Sequence, residues 1–185
     1  MLVVWILVGV VVVLLVWAVF TYNRLVKLRN RVDNGWSQID VQLRRRYDLI
    51  PNLIETVKGY AAHERTVFDE VTSARAAVAR ASSPGAAGAA DTMLGQALGR
   101  LFAVAEAYPD LKASQNFQQL QAELTDTEDK IAAARRYYNA TVQAYNTATQ
   151  TFPSLLLAGP FGFRAREFFA AEQDERAPVA VSFQS

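Results

Sequence analysis

The sequence predicts an all-α protein: an N-terminal transmembrane helix followed by an up-down bundle of long antiparallel helices with coiled-coil-like packing. Three observations support this fold class. Nineteen of the first 20 residues are hydrophobic, apolar residues then recur at alternating steps of three and four, and no segment before residue 153 has the pattern of a β-strand. The 185 residues are enough for one ordinary domain.

Residues 1–22 are predicted to be the membrane anchor, because the apolar run precedes the first charged side chain, Arg24. About 20 helical residues, at about 1.5 Å each, span the roughly 30 Å hydrocarbon core of a bilayer. A cleaved signal peptide would need a basic start, a shorter apolar core and a small-residue cleavage site, and the sequence matches these poorly. Trp5, Trp17 and Tyr22 are predicted to lie at the membrane interfaces.

Basic residues follow the apolar run on one side only, at Arg24, Lys27, Arg29 and Arg31. Because positive residues are retained in the cytoplasm, this pattern predicts a single-pass protein with its N-terminus outside and its C-terminal domain in the cytoplasm. The same four side chains would lie against anionic head groups. The lipid bilayer is therefore the first expected partner.

Residues 23–152 are predicted to form the bundle, and its first long helix is marked by an apolar seam with a period near 3.5 residues. The register of the seam persists across Pro51, which we interpret as a kink in one helix. The alternative is a true break, with Asp48 capping a second helix. The seam consists of Trp36, Ile39, Leu43, Ile50, Leu53, Val57, Tyr60, Val67, Val71, Ala74 and Val78.

The rest of the bundle is divided by turn signals. A linker rich in Pro and Gly is predicted at Ala81–Gly88, followed by a shorter helix over about Asp91–Ala107. A turn then places Asp110 as the N-cap of a second long helix, Leu111–Thr151. The apolar stripe of this helix comprises Phe117, Leu120, Leu124, Ile131, Tyr138, Val142 and Tyr145.

Residues 153–185 are predicted to form an aromatic, turn-rich tail. A short helix is expected over Arg164–Glu175 and an extended stretch over Pro178–Phe183. The aromatic content argues against a solvated coil. The candidate interaction residues of the tail are Phe161, Phe163, Phe168 and Phe169.

Composition excludes several kinds of chemistry. The absence of Cys excludes disulfides and thiolate sites, and a single His excludes a multi-histidine metal centre. His63 lacks the second metal-binding residue that a zincin or di-iron helix requires, because Val67 and Tyr60 occupy those positions. A net charge of +1 does not favour nucleic acid. We expect no catalytic, cofactor or metal residues, no nucleic-acid partner and no small-molecule substrate, and hence a non-enzymatic protein.

Polar residues on the apolar seams are predicted to be structural. Arg46 is expected to pair with a carboxylate of the second long helix rather than to form a site. Asn139 and Asn146 each follow a Tyr and are seven residues apart, so they lie on one helix face. They either fix the register of core layers or line a groove for a partner peptide. The candidate partners of Arg46 are Glu123, Asp126, Glu128 and Asp129.

Several motifs together resemble one family. The most specific is Arg46–Leu53, with the sequence Arg-Tyr-Asp-Leu-Ile-Pro-Asn-Leu; others are Tyr22–Val26, Ile39–Leu43, Val57–Tyr60, Asn116–Phe117, Leu120–Gln121, Glu128–Ala132, Ala134–Arg135, Tyr138–Asn139 and Phe152–Pro153. The chain resembles the LemA family of bacterial membrane proteins over nearly its whole length. The resemblance implies a protein of the bacterial inner membrane with a cytoplasmic helical bundle, and it implies no reaction. Gly35 and Gln115 depart from it, standing where Ala and Glu are usual.

Two functions follow as expectations. The first is a structural protein that self-associates, through its bundle and aromatic tail, and scaffolds envelope or membrane components. The second is an adaptor or regulatory binding module for membrane protein quality control or envelope stress, with another membrane protein as its partner. In the first case the protein would be a homo-oligomer.

Overall fold

The computed structural model describes residues 1–169, and the all-α prediction is confirmed there, with no strand among them. The helices are α1 (Leu2–Lys58), α2 (Arg65–Arg80), α3 (Pro84–Glu106), α4 (Pro109–Ala113), α5 (Gln115–Gln150) and α6 (Leu155–Ala158). Among the described residues, α1 alone is long and apolar enough to cross a membrane, and no part of its apolar stretch is buried.

Helix α1 continues without a break through Pro51, as the seam predicts. Asp48 is therefore exposed in mid-helix and does not cap a second helix. Proline has no amide hydrogen, so the carbonyl of Tyr47, four residues earlier, loses its helical donor. The Nε of Arg75 on α2 donates to that carbonyl at 3.1 Å, and its guanidinium lies 3.6 Å from the centre of the Tyr47 ring. A side chain of α2 thus supplies the donor that Pro51 lacks.

The prediction that the first long helix runs up to the linker at Ala81 is wrong, because α1 ends at Lys58. The amides of Tyr60 and Ala61 both donate to the carbonyl of Val57, at 3.0 and 2.9 Å, which closes the helix. Gly59 has the low helix propensity expected at such a point. The seam keeps its register across this turn because both helices bury their apolar residues in one core.

The predicted linker Ala81–Gly88 is also wrong in extent, because only Ala81–Ser83 lies outside a helix. The Ser83 hydroxyl accepts a hydrogen bond from the amide of Ala86 at 3.3 Å, and Pro84 occupies the first turn of α3. Proline is favoured at this position because the amide that it lacks would be unpaired in any case. Pro84 therefore starts a helix instead of ending one.

The second long helix also begins later than predicted. Asp110 lies in the first turn of α4, whose N-cap is Tyr108, so the expected N-cap at Asp110 is wrong. Helix α5 then ends at Gln150, one residue from the predicted end.

The chain divides into two compact units. The first unit contains Met1–Asp40 and Ala133–Glu167; the second contains Val41–Ala132, with Phe168 and Phe169. The second unit has one apolar core to which α1, α2, α3, α4 and α5 all contribute. Its members include Ile50, Leu53, Val57, Val71, Leu94, Leu98, Leu101, Leu111, Phe117 and Leu124.

The first unit buries α1 against α5 and the residues that follow α5. Gly35 is buried, and a β-carbon added there would lie 3.4 Å from the Cα of Tyr138, so the two helix backbones come close at this point. The neighbouring Trp36 ring lies 5.9 Å from that of Tyr138. Buried side chains of this unit include Leu25, Val32, Ile39, Tyr138, Val142, Tyr145, Ala158 and Phe163.

Residues 164–169, the described part of the helix expected over Arg164–Glu175, are not helical. The rest of that range, like Pro178–Phe183, lies outside the described residues. The sequence analysis missed the one-turn helix α6, whose four residues are too few to show a period.

Candidate interaction site

In the first unit, side chains of α5 bind the backbone of the tail. The Nδ2 of Asn146 donates to the carbonyl of Arg166 at 2.9 Å, and its Oδ1 accepts from the amide of the same residue at 2.8 Å. The hydroxyl of Tyr138 donates to the carbonyl of Glu167 at 2.8 Å. We call Tyr138 and Asn146 the tail clamp. They satisfy backbone groups of a tail segment that lies outside any helix.

Two side-chain contacts add to the tail clamp. The Nη2 of Arg166 lies 3.1 Å from the Oδ1 of Asp33 on α1, where both side chains are partly exposed. The buried Phe163 ring packs edge-on against Tyr22, with ring centres 5.6 Å apart, and the guanidinium of Arg29 lies 5.3 Å from its centre. The tail segment is thereby held within its own unit at both ends.

The chemistry of the clamp depends on a protonated tyrosine. Burial raises the pKa of Tyr138 above its ordinary value of 10.0, while nearby Arg166 opposes the shift. The hydroxyl is therefore a stable donor to the Glu167 carbonyl at neutral pH. The Asn146 side chain binds the backbone of this chain's own tail, and both interpretations of Asn146, register and partner groove, stay predictions. Asn139 is half-buried on the same helix.

The four predicted interaction residues of the tail separate into two pairs. Phe163 and Phe169 are buried within the chain, at 5% and 2% exposure. Phe161 and Phe168 are exposed, at 57% and 48%. Of these four residues, Phe161 and Phe168 are therefore the ones accessible to a partner, and the role of all four residues stays a prediction.

The predicted membrane-interface residues follow one another along α1. Trp5 is exposed and Trp17 is half-buried, while Tyr22 contacts both Phe161 and Phe163. Their placement at the interface stays a prediction. Among the basic residues after the apolar stretch, Arg29 lies over the Phe163 ring. The other three, Arg24, Lys27 and Arg31, are exposed.

In the second unit, Arg46 is buried and paired as expected, but with a different first partner. Its Nη1 lies 2.8 Å from the Oδ1 of Asp91 on α3, and its Nη2 lies 3.9 Å from the Oε2 of Glu128 on α5. Of the four candidate carboxylates, Glu128 is thus a distant second partner. Asp126 pairs instead with Arg45 and Lys130, and both neighbours lower the pKa of its carboxyl group.

Two open clefts lie on the second unit. One, of about 280 Å³, lies between α2 and α3, where Ala74 and Ala97 meet the exposed Met93. The other, of about 470 Å³, lies between α1 and α5. It is lined by Leu49, Asn52, Glu55, Thr56, Asn116, Gln119, Leu120 and Glu123.

The described residues contain no group of His, Asp and Glu side chains that could hold a metal ion. His63 is exposed in the turn between α1 and α2, not within a helix as expected. The seam residues within α1 and α5 are buried or half-buried in the chain. Tyr60, a seam residue in the turn after α1, is 47% exposed.

The fold and these surfaces define a helical protein with an N-terminal segment fit to cross a membrane. The family model of the LemA family matches residues 35–183. The chain belongs to the LemA family, and it is a membrane-associated protein of that family.

Individual relatives share about a quarter of their aligned residues with this chain. The chain is 27% identical to magnetosome protein MamQ of Magnetospirillum gryphiswaldense in an alignment that covers 85% of this chain and 68% of that protein. Magnetosome protein MamQ 1 of Paramagnetospirillum magneticum gives the same identity and coverage. Protein LemA of Metamycoplasma hominis is 27% identical in an alignment that covers 86% of this chain and 74% of that protein.

Proposed function

We propose that this protein is a non-enzymatic scaffold that self-associates through its cytoplasmic bundle and organises membrane or envelope components. The observation that carries the proposal is the cleft between α2 and α3. Its floor contains the small residues Ala74 and Ala97, and Met93 beside it is 56% exposed. Because the side chains at the floor are small, a row of side chains from a second helix can pack into the cleft. The flexible Met93 side chain can adjust to the surface of that helix.

The rim of this cleft supports a specific contact. The Nη1 of Arg100 lies 2.7 Å from the Oε2 of Glu70, so the charges at the rim are already paired and leave an uncharged floor. A second copy is the simplest occupant, because a membrane anchor confines identical chains to two dimensions in a parallel arrangement and raises their effective concentration. Such contacts between identical chains lead to closed assemblies.

The relatives are consistent with a structural role. MamQ is by name a protein of the magnetosome, and the names of the relatives state no reaction. We infer that this chain, too, acts by binding and not by catalysis, in the cell membrane with its bundle in the cytoplasm.

The proposal is tested by the mass of the full chain in mild detergent, measured by light scattering at micromolar concentration. We expect an oligomer, and we expect Met93→Glu to reduce its mass because a carboxylate cannot enter the apolar contact. Val41→Glu is the matched control, because Val41 is 60% exposed in the same unit but does not line the cleft. A monomer before substitution would show that the scaffold proposal is wrong.

A specific observation favours the adaptor as the second candidate. The larger cleft presents the carboxylates of Glu55 and Glu123 beside the amides of Asn116 and Gln119. Such a lining suits an extended peptide with basic residues, from a membrane protein under quality control or envelope stress. A monomeric chain that loses a cross-linked partner on Glu123→Lys would support the adaptor.

A further inference from the structure

We propose that residues 152–161 form a second membrane-contact element, whose apolar side chains insert into the interfacial layer of the bilayer that α1 crosses. The proposal does not depend on self-association. Four large apolar side chains of this segment are exposed: Phe152 at 80%, Leu155 at 51%, Leu156 at 59% and Phe161 at 57%. Exposed apolar side chains this close together mark an interaction surface.

Residues 152–161 contact α1 near the C-terminal end of its apolar stretch, at Trp17–Tyr22. The Phe161 ring lies edge-on to that of Tyr22, with ring centres 5.2 Å apart. A cleft of about 160 Å³ is lined by Trp17 and Thr21 on one side and by Phe152 and Pro153 on the other. When α1 crosses a bilayer, residues beside Trp17 and Tyr22 are at the depth where interfacial aromatics concentrate.

Contacts on the inward side of the segment order its backbone. Ala158 is buried at 2% exposure. The hydroxyl of Ser154 donates to the carbonyl of Ala148, at 2.6 Å, and also to that of Thr151. The exposed side chains are therefore presented by an ordered turn.

The charge pattern selects a lipid surface over other occupants. Residues 151–163 include no charged side chain. Charge begins only at the margins, with Arg24 lining the cleft and Arg164 following the segment. An uncharged apolar element bordered by basic residues is typical of segments that lie in the membrane interface, where head groups meet the positive charges.

The experiment uses the full chain, which contains no Cys, so single-cysteine variants can be labelled at one position. Leu156→Cys carries a nitroxide in vesicles of phosphatidylcholine and phosphatidylglycerol. Tyr137→Cys is the matched control, because Tyr137 is 45% exposed on α5 in the same unit. Collision of each nitroxide with oxygen and with a water-soluble nickel chelate is then measured.

We expect the label at 156 to have a ratio of oxygen to nickel collisions several-fold higher than the label at 137. Equal ratios at the two positions would place 156 in water and overturn the proposal. A label at 156 that is protected from both reagents would also overturn it, and would identify a protein surface as the occupant. The mass of the oligomer is a separate readout, so failure of self-association would leave this result unchanged.

Discussion

Arg46 shows what sequence can predict about a single residue. A charged side chain on an apolar seam predicts a buried pair, and that pair is present. The pattern predicts a partner on the second long helix, whereas the shorter bond goes to Asp91 on α3. Sequence periodicity shows which face of a helix is buried, but it does not show which neighbouring helix covers that face.

Asp91→Ala is expected to lower the free energy of unfolding by about 3 kcal/mol, because it leaves the buried Arg46 without its close partner. Glu128→Ala is the matched control. Glu128 is 66% exposed and 3.9 Å away, so its loss is expected to cost less than about 1 kcal/mol. The measurement is the urea midpoint of the full chain in detergent, followed by circular dichroism. Equal losses for the two variants would contradict this assignment.

Asn146 shows a different limit of prediction from sequence, because its partner is a backbone segment far along the chain. Its spacing of seven residues from Asn139 indicates that the two side chains share a helix face. This spacing is compatible with two roles, fixing the register of core layers or lining a groove for a partner peptide. The segment that it binds begins 20 residues later and has no pattern of its own. Such a contact depends on where the chain returns after α5, which no local pattern encodes.

At the scale of elements, the long helices were predictable because a period sustained over many residues is a strong signal. Their ends were less predictable. Gly59 ends α1 although the seam continues beyond it, and Pro84 starts a helix in a stretch that composition marked as a linker. Both residues act through the backbone, and the same residue type can begin or end a helix according to its neighbours.

Pro51 and Arg75 are expected to be energetically coupled. Arg75→Met leaves the Tyr47 carbonyl without a donor, which costs about 1–3 kcal/mol for a group shielded from water. In a protein that also carries Pro51→Ala, the restored helical amide bonds that carbonyl, and Arg75→Met should cost less. A double-mutant cycle of urea midpoints measures the difference. Additive effects would show that Arg75 does not compensate for Pro51.

At the scale of the whole molecule, the tail determines how much apolar surface is left for others. The seam residues within α1 and α5 are buried or half-buried in the chain, and Phe163 of the tail is buried in the same unit as the tail clamp. The surfaces that remain are the cleft beside Met93 and the exposed side chains of residues 152–161. An assembly is therefore expected to use the cleft beside Met93, while residues 152–161 are expected to face the bilayer.

Orientation is the last property that belongs to the whole chain. Four basic residues follow the apolar stretch, and Arg24, Lys27 and Arg31 are exposed there. Since positive charge resists translocation, a reporter fused after Ser185 should be active only as a cytoplasmic reporter. Fusions to green fluorescent protein and to a periplasmic phosphatase measure this.

A charge-reversed variant provides the control for orientation. Replacing Leu2 and Val3 by Lys, together with Arg24→Gln and Lys27→Gln, moves positive charge to the other end of the span. Some chains should then insert with the opposite orientation, and the phosphatase fusion should gain activity at the expense of fluorescence. If the unmodified chain already gave full phosphatase activity, its bundle would be outside the cytoplasm. The basic residues after the span would then not set its orientation.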